Sequence, residues 1–156
     1  LADTLQPALA AHEPDLRARR MRVDNRVGPG ILLQADPGLV REVFENLLSN
    51  AIKYGREGGL ISLHAQPEGD RIACAVRNEG PGLTAEQIGR LFQKFSRVES
   101  DAHRAHGAGL GLFISRKIVE AHGGTIAAAS QPGEWVEFRF TFPRAREEAA
   151  PPAAAT

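Results

Sequence analysis

Apolar residues recur at helical spacing in two long stretches. Behind Asp36-Pro37, the residues Val40, Val43, Phe44, Leu47, Leu48, Ala51 and Ile52 share one face, the i, i+3, i+4 pattern of an amphipathic helix. Asp36 supplies a capping carboxylate and Pro37 the proline favoured in a first helical turn. Gly55 is placed to end this helix in a left-handed cap conformation. A second helix is predicted over residues 109–122, closed by Gly123-Gly124. Residues 1–12 are apolar and helix-compatible but uncapped, and read as the stub of a longer helix. Thr84 and Gln87 form a capping-box pair opening a short helix to about Phe92. Alternating or β-rich runs predict strands over residues 21–25, 31–35, 60–65, 71–76, 125–130 and 135–142, with glycine- or proline-bearing turns between the paired runs. Residues 96–108 are polar and aperiodic, a profile more typical of a functional lid than of filler. Beyond Arg144 the chain is charged and then Pro/Ala-rich, the composition of a disordered tail.

Composition narrows the class. At 156 residues the chain suits one domain. Its 19 basic and 19 acidic side chains cancel to a net charge of +0, which argues against a dedicated nucleic-acid binder. No apolar run reaches the ~20 residues of a membrane span and no signal segment opens the chain. Cys74 is the single cysteine, so neither an internal disulfide nor a CxxC zinc site can form. A cytoplasmic α/β or α+β domain, monomeric and without membrane contact, is the expectation. The five histidines share no metal-binding spacing.

Three segments carry candidate chemistry. On the first helix Asn46, Asn50, Lys53 and Tyr54 form a connected stripe, because residues three and four apart are neighbours. The stripe offers amide oxygens for a hard cation, an ammonium for phosphate and an aromatic ring for stacking. Asn78-x-Gly80-x-Gly82 follows a strand, and Gly107-x-Gly109-x-Gly111 opens the last helix. Glycines there let backbone N–H groups approach phosphate, and the helix dipole favours the anion. Either triplet alone is a weak signal, since tight turns also need glycine.

Taken in order, these segments resemble the catalytic and ATP-binding domain of bacterial sensor histidine kinases. NLLSNAIKYG is similar to that family's N box, NEGPG to its G1 box, LFQKFSRVES to its F box and GAGLGLFIS to its G2 box; HGGTIAAAS resembles the strand that follows the last helix. The likeness runs from about Leu16 to Phe142. It implies the Bergerat fold: an α/β (α+β) two-layer sandwich, about five strands in a mixed sheet, three helices on one face and a mobile lid over 83–108. Residues 16–143 would form the ATP-binding domain, 1–15 the stub and linker of a preceding dimerisation domain, and 144–156 a tail. The resemblance also implies ATP and Mg²⁺ as cofactors. Asn50 would hold the metal with Asn46 alongside, Lys53 would approach the phosphates and Tyr54 would pack on adenine. Asn78, Gly80, Gly82, Leu83 and Phe95 would surround the base, while Gly107, Gly109, Leu110, Gly111 and Leu112 would wrap the phosphates. Arg97 and Arg104 sit where lid arginines steady the γ-phosphate, and Phe92 and Phe95 are expected to anchor the lid. The implied partners are a histidine-bearing dimerisation domain and a response regulator.

The chain departs from the family in two places. The commonest G1 box has aspartate where this chain has Asn78. An amide keeps one acceptor oxygen but gains a donor, which predicts weaker ATP binding, by about 1 kcal/mol, or relaxed base selection. A helix pair bearing a phosphoacceptor histidine is also missing. His12-Glu13 echoes the histidine box, but Pro14 follows, and proline inside a helix costs about 3 kcal/mol. Alone, the chain is expected to bind nucleotide without autophosphorylating. The alternative to a kinase is a degenerate nucleotide-binding module signalling by contact. ATP-hydrolysing relatives of the fold carry a water-activating glutamate where this chain has Asn46, and the F box argues against single-domain serine kinases.

Overall fold

The computed structural model describes residues 1–93 and 110–146. In chain order the elements are α1 (Ala2–Ala18), β1 (Arg22–Asn25), α2 (Pro37–Tyr54), β2 (Leu60–Glu68), β3 (Arg71–Glu79), α3 (Ala85–Arg90), α4 (Gly111–Ala121), β4 (Ile126–Gln131) and β5 (Trp135–Pro143). The strands form one mixed sheet in the order β1-β2-β3-β5-β4, with β1 and β2 parallel and every other pair antiparallel. Helices α1, α2 and α4 make one layer against it.

Strand periodicity sorts the residues between the two faces. Ile61 and Leu63 of β2, Ile72, Cys74 and Val76 of β3, and Val136, Phe138, Phe140 and Phe142 of β5 are buried toward the helices. Phe44 of α2 meets Phe140 edge-on, with ring centroids 5.3 Å apart. The same alternation carries Asn78 to the helix side at the end of β3, at 3% exposure. The central strand therefore delivers a polar side chain into the helix layer.

Several predicted elements differ from the structure. Helix α1 does not stop near His12 but continues through Pro14 to Ala18. Proline removes one backbone donor there, and the loss is offset because the turn beyond it buries Leu16. Leu5 and Ala8 of α1 are wholly buried and belong to the common core. Residues 31–35 form no strand. Asp36 begins α2 immediately afterwards, leaving room only for an isolated bridge between Leu33 and Arg144. Gly55 ends α2 with an extended backbone at φ −72° and ψ 163°, not a left-handed one. Glycine is required for space, since a Cβ would stand 2.3 Å from the Ala51 carbonyl oxygen and 2.6 Å from Met21 Cε. The predicted caps are present: an Asp36 carboxylate oxygen accepts from Leu39 N–H at 3.0 Å, and Thr84 and Gln87 bond reciprocally.

Candidate nucleotide site

Helix α2 presents the polar stripe beside α4. Asn46 donates through Nδ2 to the Gly111 carbonyl (3.2 Å) and to Ser115 Oγ (3.3 Å), which fastens α2 to the opening turn of α4. With its NH₂ group engaged, Asn46 keeps its oxygen as an acceptor. One turn on, Asn50 is half-buried and Lys53 exposed, and neither side chain is hydrogen-bonded among the described residues. Both are open to a ligand, as is the Asn46 oxygen. Glu45, the carboxylate next to Asn46, is paired to Arg41 at 2.7 Å and is not poised to activate water. Helix α4 starts at Gly111 without a side-chain cap, leaving amide donors at its N-terminus for an anion.

The far end of α2 meets the loop after β3. Arg56 N–H donates to the Glu79 carbonyl at 2.8 Å. A Cβ on Gly80 would lie 3.0 Å from the Tyr54 carbonyl oxygen and 3.3 Å from Gly55 Cα. Gly82 has φ +70°, and a Cβ there would be 2.7 Å from the Gln131 carbonyl oxygen. Gly82 is thus demanded by the protein's own packing, and Gly80 sits where a side chain would be tight against the end of α2. Asn78 donates through Nδ2 to the Glu79 carbonyl at 3.3 Å, which orients its oxygen away from that carbonyl.

The structure accordingly brings Asn46 to Gly111, and Tyr54 and Gly55 to Gly80 and Asn78. Leu83 follows on the same segment, and Leu110 and Leu112 flank Gly111 as half-buried residues. Phe92 packs edge-on against Phe138, with ring centroids 6.2 Å apart, and the expected lid beyond residue 93 lies outside the described residues. Phe95, Arg97, Arg104, Gly107 and Gly109 lie outside the described residues. His122 has a packing role, bonded through Nδ1 to the Ile118 carbonyl and stacked edge-on to Phe142. No group of three His, Cys, Asp or Glu side chains that could hold a metal is found among the described residues.

Three contributors escaped sequence reasoning. Arg19 donates to the Ile52, Lys53 (3.0 Å) and Gly55 (2.9 Å) carbonyls, closing the C-terminal end of α2. Ser115, wholly buried, receives Asn46. Ser130 bonds the loop that contains Gly82. None has a local signature, since each is identified by what lies across the fold. A hollow of about 570 Å³ on the helix-free face is lined by Asp24, His64, Arg77 and Glu137, among others. Asp24 pairs there with Arg26, and Glu137 with Arg77 and Arg139; the hollow lies across the sheet from the polar stripe of α2 and is not the candidate site.

The family of histidine kinase-, DNA gyrase B- and HSP90-like ATPases matches residues 35–146. The alginate biosynthesis sensor protein KinB of Pseudomonas aeruginosa is 38% identical over 144 residues, covering 92% of this chain and 24% of that protein. The adaptive-response sensory kinase SasA of Parasynechococcus marenigrum is 41% identical over 110 residues, covering 70% of this chain and 29% of that protein. The chain thus spans about a quarter of the length of these relatives. Among solved structures, the catalytic domain of histidine kinase ThkA superposes with a TM-score of 0.80 at 27% identity, covering 92% of both chains. Full-length ShkA in complex with AMPPNP superposes with a TM-score of 0.81 at 29% identity, covering 94% of this chain and 30% of that one. The Bergerat-type mixed sheet, the polar stripe of α2 and these likenesses converge: the chain belongs to the histidine kinase-, DNA gyrase B- and HSP90-like ATPase family, as an ATP-binding catalytic domain of the sensor histidine kinase type.

Proposed function

We propose that this domain binds ATP with Mg²⁺ between α2, α4 and the segment 78–83, and transfers the γ-phosphate to a histidine on a dimerisation domain. The observation that carries the reading is the placement of Asn50 and Lys53. Neither side chain is hydrogen-bonded among the described residues, and they lie along α2 between Asn46, tied to Gly111, and the C-terminal turn, packed on Gly80. The residues present fit the cofactor. Asn50 offers an amide oxygen, unbonded among the described residues, for Mg²⁺, the donor type a hard cation takes. The bound metal would neutralise phosphate charge, the dominant need in phosphoryl transfer.

The remaining work belongs to the chain's own groups. Lys53 sits one turn beyond Asn50 and brings positive charge to the phosphates. The amides that open α4 at Gly111 and Leu112 receive phosphate oxygens, continuing from Gly107, Gly109 and Leu110. Asn78 presents its oxygen to the exocyclic amine of adenine, Tyr54 and Phe95 flank the base, and Gly82 and Leu83 complete its enclosure. Arg97 and Arg104 supply charge to the γ-phosphate. The bond from Asn78 Nδ2 to the Glu79 carbonyl opposes the amide flip that guanine would require, so adenine selection is retained. No observation favours the contact-signalling alternative.

A histidine-bearing dimerisation domain and a response regulator are the proposed partners. A solved complex joins ThkA to the response regulator protein TrrA, and that ThkA chain superposes with a TM-score of 0.76 at 26% identity, covering 93% of this chain and 40% of that one. No described helix is long and apolar enough to cross a membrane, and cytoplasmic placement is part of the proposal. Titration calorimetry with ATP, ADP and GTP plus Mg²⁺ tests the reading. ATP should bind to wild type, and Asn50→Ala should abolish that binding while leaving the fold intact. Wild type that binds none of the three nucleotides would overturn it.

A further inference from the structure

The segment from Gly80 to Leu83 leaves the central strand and is held on one side by the β4–β5 turn. Gly80 N–H donates to the Glu134 carbonyl at 3.0 Å, and Gly133 N–H donates to the Pro81 carbonyl at 2.6 Å. Arg56 Nη2 donates to the Gly133 carbonyl of the turn at 3.2 Å, and the side chain that bonds the Gly80–Leu83 segment itself is Ser130. Its hydroxyl accepts from Leu83 N–H at 2.7 Å and donates to the Trp135 carbonyl at 2.7 Å. A serine hydroxyl can do both at once. Ser130 Oγ stands 2.7 Å from where a Cβ on Gly82 would be, so the hydroxyl occupies the space that glycine leaves. Register puts Ser130 opposite Val136, on the helix side of edge strand β4.

We infer that Ser130 is a positioning residue for nucleotide binding, pinning the path of Gly82 and Leu83 beneath the base. The inference rests on the proposed function, which places that segment against the nucleotide. Without the hydroxyl, Leu83 N–H loses its acceptor and the segment gains conformations that binding must remove. The cost falls on affinity, because Ser130 itself is across the seam from the ligand.

Calorimetry of ATP with Mg²⁺ tests this on wild type, Ser130→Ala and Ser130→Thr, together with amide hydrogen exchange of the wild type. Ser130→Ala should raise Kd about five- to tenfold, in line with the loss of one hydrogen bond. Ser130→Thr, which keeps the hydroxyl, should return Kd to within about twofold of wild type. The Leu83 amide should be protected from exchange in the wild type, a measurement that needs no variant to fold. Equal affinity of Ser130→Ala and wild type, failure of threonine to rescue, or an unprotected Leu83 amide each overturns the inference while leaving the functional reading standing. A wild type that binds no nucleotide overturns the functional reading and this inference with it.

Discussion

Asn78 shows how one side chain is placed by two constraints at different ranges. Strand alternation buries it, and the Glu79 carbonyl holds its amide nitrogen. Replacement by aspartate removes that donor and sets a carboxylate beside a carbonyl oxygen. Asn78→Asp should therefore destabilise the free domain by about 1–2 kcal/mol, read as a lower Tm. A charged acceptor strengthens the bond to the adenine amine, so the same variant should bind ATP several-fold more tightly. Calorimetry and thermal melting on one preparation check both signs. Cys74 is a second case, where burial alone pushes the thiol up to about 12 from its ordinary 9.0. An acid whose folded pKa is raised contributes stability below its unfolded pKa and loses that contribution as pH rises. The domain should therefore lose stability between about pH 9 and pH 12, and Cys74→Ala should flatten that slope in denaturant titrations. Thiol alkylation near neutral pH should be slow until the protein unfolds.

At the scale of elements, α2 is defined at its start by local chemistry and at its end by distant groups. Asp36 caps it from within the sequence, whereas Arg19, from the turn after α1, caps the last carbonyls. Arg19→Met should keep the aliphatic packing and lose the charged donors, costing about 1.5–3 kcal/mol of stability, which urea unfolding can measure. Arg19→Lys should recover only part, because an ammonium lacks the planar fork. Gly55 is more stringent. Gly55→Ala places a methyl on the Ala51 carbonyl oxygen, and its expected result is a cost of several kcal/mol or failure to fold.

For the whole molecule, the sheet order β1-β2-β3-β5-β4 places the ends of β3 and of the β4–β5 turn beside the C-terminal end of α2. Candidate-site residues remote in sequence, Tyr54 with Gly80 and Asn46 with Gly111, become neighbours only through that order. The proposed partner for dimerisation lies outside this domain, so sedimentation should give a mass near 16.8 kDa and not twice that value. Much of this was legible beforehand. The apolar stripe from Val40 to Ile52, the Asp36 and Thr84 caps and the hairpin turns follow from local sterics and burial. The spacing of Asn46, Asn50 and Lys53 likewise puts them on one helix face wherever that helix packs. Other features needed the tertiary structure. Pro14 sits inside α1 because Leu16 is buried beyond it, and residues 31–35 lack a strand because α2 begins at once. Gly55 is glycine through crowding and not through its own backbone angle. Arg19, Ser115 and Ser130 act on backbone and side-chain groups far along the chain. Periodicity and capping are encoded within a few residues, so most of the elements and the faces they bury can be read from the chain before it folds. Which carbonyl a guanidinium or hydroxyl meets depends on contacts between segments remote in sequence, and only the folded chain decided it.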